Sequence, residues 1–251
     1  VHGHFTREEA IAATRTLARK IGAQSAPESA LLRRRHLALK SGEEVIDAGE
    51  IAGVNSAFIR DYVLPDDAPA TRAAAAVLAN FFGDPFYSEL RTKQQLGYIV
   101  GSSAPASLRH RYFTFVIQSS GYAPDELRRR AETFIATLPA ALAKVTDAEW
   151  ATLIAGARSQ FEEKPKSIRD KAEIFFGRAY VFDGEWDRQQ ASLAALAALT
   201  KEQALAVLTT ALAADGRRRT ILLNSKNHKA TEEAKPTFSA RDAWKRTQQF
   251  N

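Results

Sequence analysis

The chain alternates between capped helical stretches and short runs in which apolar and polar residues alternate. Thr6-x-x-Glu9 forms a capping box ahead of EEAIAATRTLARKIG, and Gly22 is placed to end that helix. After the polar stretch QSAPES come three strand-like runs, 35–39, 43–48 and 54–63, with Ser41-Gly42 as a tight turn between the first two. The last of these, VNSAFIRDYVL, alternates well enough for a sheet strand with one buried face. Leu64-Pro65-Asp66-Asp67 reads as a turn, because Pro fixes φ and Asp accepts local backbone hydrogen bonds.

A helix is expected from about Thr71 through RAAAAVLANFF. Gly83-Asp84-Pro85 should interrupt or kink it, since Pro removes a donor and clashes with the preceding turn. The helix resumes through FYSELRT toward Gly97, and strands at 98–102 and 111–119 follow, linked by SAPASLRH. From Pro124 the chain reads as mostly helical, with Pro in a first turn and Asp125 and Glu126 complementing the helix N-terminus. Thr146-x-x-Glu149 and Thr200-x-x-Gln203 open further helices, Ser167 caps another after Lys164-Pro165-Lys166, and 219–223 reads as a last strand. A charged, irregular tail carrying Trp244 completes the pattern. This order predicts an α+β fold, a mostly antiparallel sheet with helices packed on one face, and not a βα-alternating barrel or doubly wound sheet. Residues 1–32 read as the closing strand and helix of a preceding homologous domain, and 33–251 as the domain proper.

Composition narrows the chemistry. The 251 residues are 45% hydrophobic and 25% charged, which is ordinary for a globular protein. No apolar run approaches the roughly 20 residues that cross a bilayer, so no membrane partner is expected. The opening VHGHFTREEA has neither an initiating Met nor signal-peptide character, and the chain is read as a fragment or processed product. The absence of Cys removes disulfide scaffolds, thiolate metal sites and cysteine nucleophiles. The net charge of +6 includes basic runs at Arg33-Arg34-Arg35, Arg109-His110-Arg111, Arg128-Arg129-Arg130 and Arg217-Arg218-Arg219. These are scattered, which favours solvated faces over a nucleic-acid surface.

The five histidines, His2, His4, His36, His110 and His228, show no H-E-x-x-H or H-x-x-E-H spacing. His2-Gly3-His4 on a strand would share a side, as a metal needs, but an exposed strand edge accounts for it more simply. Neither a glycine-rich phosphate loop nor a G-x-S-x-G elbow is present. What remains is LRTKQQLGYIV at 90–100. Arg91 should fall near a helix end and Tyr98 where a strand begins, so each has a plain structural reading. Together they also supply guanidinium and phenolic donors able to bind a carbonyl or a developing oxyanion.

PFYSELRTKQQLGYIV resembles the C-terminal half of the M16 zinc metallopeptidases, in the pitrilysin and insulin-degrading enzyme branch. IQSSGYAP resembles the strand and turn that follow in that family, and EEKPKSIRDKAEIFFGRAYVFDGEWDR and LTKEQALAVLTTALA its later helices. VHGHFTREEA resembles the strand and helix that close the family's third repeat. The resemblance implies four similar α+β domains in two halves that close around a peptide. The N-terminal half carries the inverted zinc motif, and the other half an Arg and a Tyr. It implies that Arg91 and Tyr98 are those two, both catalytic and substrate-binding, and that this chain is the fourth domain with the end of the third. The zinc motif is absent here, so the metal is expected in the full enzyme and not in this chain, which alone should be inactive. The expected partners are the N-terminal zinc-bearing half and a peptide substrate. The basic surface would hold the acidic inner wall of the other half or attract acidic substrates. A non-catalytic binding or assembly subunit, paired with a separate zinc-bearing chain, is the competing reading. The resemblance leans toward the bacterial periplasm, with the cytoplasm as the other option.

Overall fold

The computed structural model describes residues 3–22, 24, 27, 35–231 and 235–250. His2, Arg33 and Arg34, and with them part of the expected preceding-domain segment, lie outside the described residues. The chain forms two compact units. One comprises the described residues of 1–36 with 164–186 and 250, and the other comprises 37–163 and 187–249.

The smaller unit holds α1 (Arg7–Lys20), opened by the Thr6–Glu9 capping box and ended by Gly22 at φ 61°. Residues 3 and 4 form a bend, so the expected strand around His4 is not seen among the described residues. The unit's second helix starts at Ile168, after Ser167 accepts a hydrogen bond from the Asp170 amide. Its side chains are exposed or half-buried, with the Phe176 and Tyr180 rings in tilted contact at 4.8 Å.

The larger unit is built on a six-stranded sheet. Its strands are β1 (Glu44–Ile51), β2 (Ser56–Val63), β3 (Ile99–Ser103), β4 (Ala106–Ser107), β5 (His110–Ser119) and β6 (Arg218–Ser225). Their order is β1-β6-β2-β5-β3, with β4 paired to β5. The sheet is mostly antiparallel as expected, but β1 and β6 run parallel, with Glu44 opposite Arg218 and Ser225 opposite Ile51. The 35–39 run forms no ladder strand; only an isolated bridge at Leu37 remains, although Ser41-Gly42 turns as expected with Gly42 at φ 73°. The tail is less irregular than its sequence suggests. Thr237 exchanges hydrogen bonds with both backbone groups of Ile46, and Arg241 pairs with Asp47, so the outer edge of β1 is covered.

The helices of this unit are α2 (Pro69–Tyr87), α3 (Pro124–Ile135), α4 (Leu138–Ala143), α5 (Asp147–Glu162), α7 (Arg188–Ala198), α8 (Lys201–Leu212) and α9 (Arg241–Lys245), numbered after the smaller unit's α6 (Ile168–Phe176). Along β5, Phe113, Phe115 and Ile117 alternate inward. Phe113 and Phe115 meet Phe82 and Phe86 of α2 with ring centroids 5.1–5.4 Å apart. Gly83-Asp84-Pro85 does not interrupt α2. Phe82 and Phe86 lie fully buried on either side of it, and this packing outweighs the hydrogen bond that Pro85 cannot donate. The departure from α geometry comes just afterwards, where 88–93 closes as a π-turn.

Two ionic networks, one centred on the buried Arg60 and the other on the buried Asp67, fix the frame. Arg60, on the helix-facing side of β2, pairs with Glu132 of α3 and, at 3.2 Å, with Glu44 of β1. Arg128 joins the same two carboxylates. On the other flank, Asp67 accepts from Arg111 of β5 at 2.6 Å and from Arg188 of α7 at 2.5 Å, with Arg72 of α2 at 3.9 Å. Arg72 also donates to the Asp67 carbonyl and to Ser192. One carboxylate therefore gathers three guanidinium groups from three elements. Asp67→Asn is expected to lower the stability of the chain by about 3–5 kcal/mol, read from the urea midpoint. An unchanged midpoint would show that the carboxylate charge is not what joins these elements.

Candidate functional site

Arg91 stands on the π-turn that continues α2, and Tyr98 immediately precedes β3. The turn is closed by the Gln94 amide donating to the Glu89 carbonyl, one residue wider than an α-turn. The extra residue shifts the register by about 100° of helix rotation. Leu90 and Leu96 are fully buried while Arg91 lines an open groove. Lys93 and Gln94 donate to Glu89, whose carboxyl is held below its ordinary pKa, chiefly by the Lys93 hydrogen bond and then by that of Gln94.

The corner after the π-turn is tightly specified. Gln95 takes the left-handed conformation, φ 51°, which side-chain-bearing residues adopt only under constraint. The Leu96 amide donates back to the Leu90 carbonyl at 3.0 Å. Gly97 then passes so close to β5 that a Cβ there would fall 2.0 Å from the Gln118 carbonyl oxygen. No side chain fits, and glycine is required for this close backbone approach. Tyr98 emerges from the corner 86% exposed.

The groove has a volume of about 570 Å³. Its floor and one rim come from the π-turn and the Gln95–Tyr98 corner, and its other wall from Ser119, the last residue of β5, to Tyr122. The structure brings Arg91 and Tyr98 together at this groove, with the guanidinium carbon 5.9 Å from the phenol ring centroid. That places the cation within range of the ring face. Ser119 is buried, and its Oγ accepts from the amides of Gly121 and Tyr122, both at 3.1 Å. The Tyr122 ring carries Arg130 at 4.9 Å. Arg130 and Arg129 in turn hold Glu126, whose pKa is lowered to about 2 by their hydrogen bonds, Arg129 first. A second groove, of about 550 Å³ and floored by Phe134, lies against Glu89 and Gln94.

Ser119, Ser120, Gly121 and Tyr122 carry no functional signal of their own in the sequence. The available signal was the Ser-Ser-Gly cluster ending an alternating strand, which marks a turn but carries no obvious chemistry. Among the described residues there is no group of three or more His, Asp or Glu placed to hold a metal ion. His4, His36, His110 and His228 do not form such a group, and the described residues do not fit a zinc site.

Residues 77–176 match the family described as PQQ synthase PqqF-like, C-terminal lobe domain 4, an interval containing both Arg91 and Tyr98. The chain is similar to the C-terminal part of the M16 peptidases. Human insulin-degrading enzyme is 29% identical over 143 residues, covering 57% of this chain and 14% of that protein. The crystal structure of pitrilysin matches at a TM-score of 0.82 and 21% identity, over 99% of this chain and 27% of that one. A structure described as a peptidase M16 inactive domain from Pseudomonas fluorescens matches at a TM-score of 0.65 and 16% identity, over 92% of this chain and 54% of that one. At these identities the two structures speak for the fold. This chain thus spans a small part of the M16 relatives it resembles.

The groove depends on the Gly97 fit. Gly97→Ala is expected to cost about 3 kcal/mol through overpacking against β5. It should also broaden or move the Gln95–Tyr98 amide resonances in the NMR spectrum, while a cost under about 0.5 kcal/mol with an unchanged spectrum would contradict the close approach.

Proposed function

We propose that this chain is the C-terminal, zinc-free, peptide-binding portion of an M16-type metalloendopeptidase. The observation that carries the reading is the placement of Arg91 and Tyr98 side by side at one open groove, 5.9 Å apart, within the M16-related interval. On this reading residues 1–32 close a preceding homologous domain, 33–251 form the fourth, and the metal belongs to the N-terminal half.

The contribution of this chain is hydrogen-bond donation. The Arg91 guanidinium offers several N–H donors in a planar fork, suited to backbone carbonyls of an extended peptide. The Tyr98 hydroxyl offers one donor on a rigid arm, able to meet an oxygen that gains negative charge as the scissile carbonyl becomes tetrahedral. Both side chains are accessible to solvent here, Tyr98 most of all. Their donors would strengthen once an opposing half excludes water, because the same bond is stronger at lower effective dielectric. Closure around the peptide and completion of the donor set would then be one event.

The M16 inactive domain among the structural neighbours favours a second reading, a binding or assembly subunit that pairs with a separate zinc-bearing chain. A single reading frame with an upstream zinc motif supports the first; a short frame beside a zinc-bearing neighbour supports the second. In the complete peptidase, Tyr98→Phe is expected to lower kcat about ten- to a thousand-fold with zinc content unchanged. Unaltered turnover of an internally quenched peptide would remove Tyr98 from the mechanism.

A further inference from the structure

The Ser119–Tyr122 wall of the groove is held from behind by a histidine. His228 lies just after β6, with Nε2 2.8 Å from the Ser120 carbonyl oxygen and Nδ1 2.7 Å from Ser56 Oγ. A carbonyl can only accept, so Nε2 carries a proton and donates it to this bond. In the neutral ring Nδ1 is then a bare acceptor, and the Ser56 hydroxyl donates to it. Ser56 Oγ accepts in its turn from the Ser225 amide at 2.9 Å. The chain of donors runs one way, from the Ser225 amide through Ser56 and His228 to Ser120.

Every link is anchored. Ser56 and Ser225 are fully buried at the paired ends of β2 and β6. Ser225 Oγ donates to the Gly53 carbonyl and accepts from the Asn227 amide, fixing the turn that leads to His228. Beyond His228, the Thr231 amide and hydroxyl both donate to Asp125 at the start of α3. The imidazole therefore has little freedom, and the Ser120 carbonyl is tied to the sheet rather than left to the loop. On its other side the same loop faces Tyr98 across the groove.

We infer that His228 is a positioning residue for the groove, its Nε2–H tautomer holding the Ser120 backbone at the spacing from Tyr98 that a bound peptide needs. This rests on the peptide-binding reading above, whereas the relay itself does not. Two variants separate its halves. His228→Gln can keep a donor near the Nε2 place while losing the acceptor at Nδ1, and His228→Asn can keep an acceptor near Nδ1 while losing the donor to Ser120.

Nitrogen NMR of histidine-labelled 251-residue chain at neutral pH tests the relay directly. The Nε2–H tautomer is expected at His228, and the Nδ1–H tautomer or a rapid average of both overturns the inference. In the complete peptidase, His228→Asn should lower kcat/KM on an internally quenched peptide about ten- to a hundred-fold, the scale of a small misplacement in a binding wall. His228→Gln should keep at least about half of the activity, since it retains the Ser120 donor. Equal losses in both variants, losses that follow the melting temperature, or no loss in either would overturn the positioning role. If Tyr98→Phe is without effect while the tautomer is as expected, the relay stands and what fails is the role of Tyr98 in the peptide-binding reading.

Discussion

Gly97 and the Gln118 carbonyl share a space that admits no additional carbon, a hypothetical Cβ falling 2.0 Å from that oxygen. This contact sets where the chain leaving α2 can rejoin the sheet. Because the crossing point is fixed, the π-turn, the left-handed Gln95 and the buried Leu96 follow as the means of reaching it. Gln95 in that conformation carries an unfavourable backbone term of about 1 kcal/mol or more, sustained by the surrounding packing. The result is that a cation and a phenol seven positions apart in sequence come to stand at one groove.

The rest of the fold keeps that corner still. Phe82 and Phe86 seat α2 on β5, the strand that meets Gly97, so the helix carrying Arg91 and the wall facing it share one core. Asp67 and Arg60 tie the flanks of the sheet to α2, α3 and α7 through charges that are costly to separate once buried. Behind the groove, the His228 contact adds a tether that does not depend on the apolar core. A rigid frame with exposed donors suits a surface that meets its ligand preformed and relies on a covering partner to exclude water.

Much of this was legible locally. The three capping boxes at Thr6, Thr146 and Thr200 all form, because their signal lies within four residues and needs no tertiary context. The helix-to-strand corner between Arg91 and Tyr98 was visible at Gln-Gln-Leu-Gly, although the π-turn that leads into it was not. What escaped is what depends on distant partners. The parallel pairing of β1 with β6 joins residues at 44–51 to those at 218–225 and leaves no mark on either strand. Pro85 reads as a helix breaker only until Phe82 and Phe86 are seen buried on both sides of it. The 35–39 run alternates like a strand but lacks a ladder partner. The Ser119–Tyr122 wall works through amides and a small hydroxyl, which sequence patterns do not flag. His228 finds its partners at Ser56 and Ser120, more than a hundred residues away.

The most direct test of the account is amide chemical-shift mapping of the labelled chain titrated with a short extended peptide, repeated with Arg91→Ala. The account predicts saturable shifts concentrated at 95–98 and 119–122 that largely vanish in the variant. Shifts that avoid both segments, or a map identical in the variant, would contradict it.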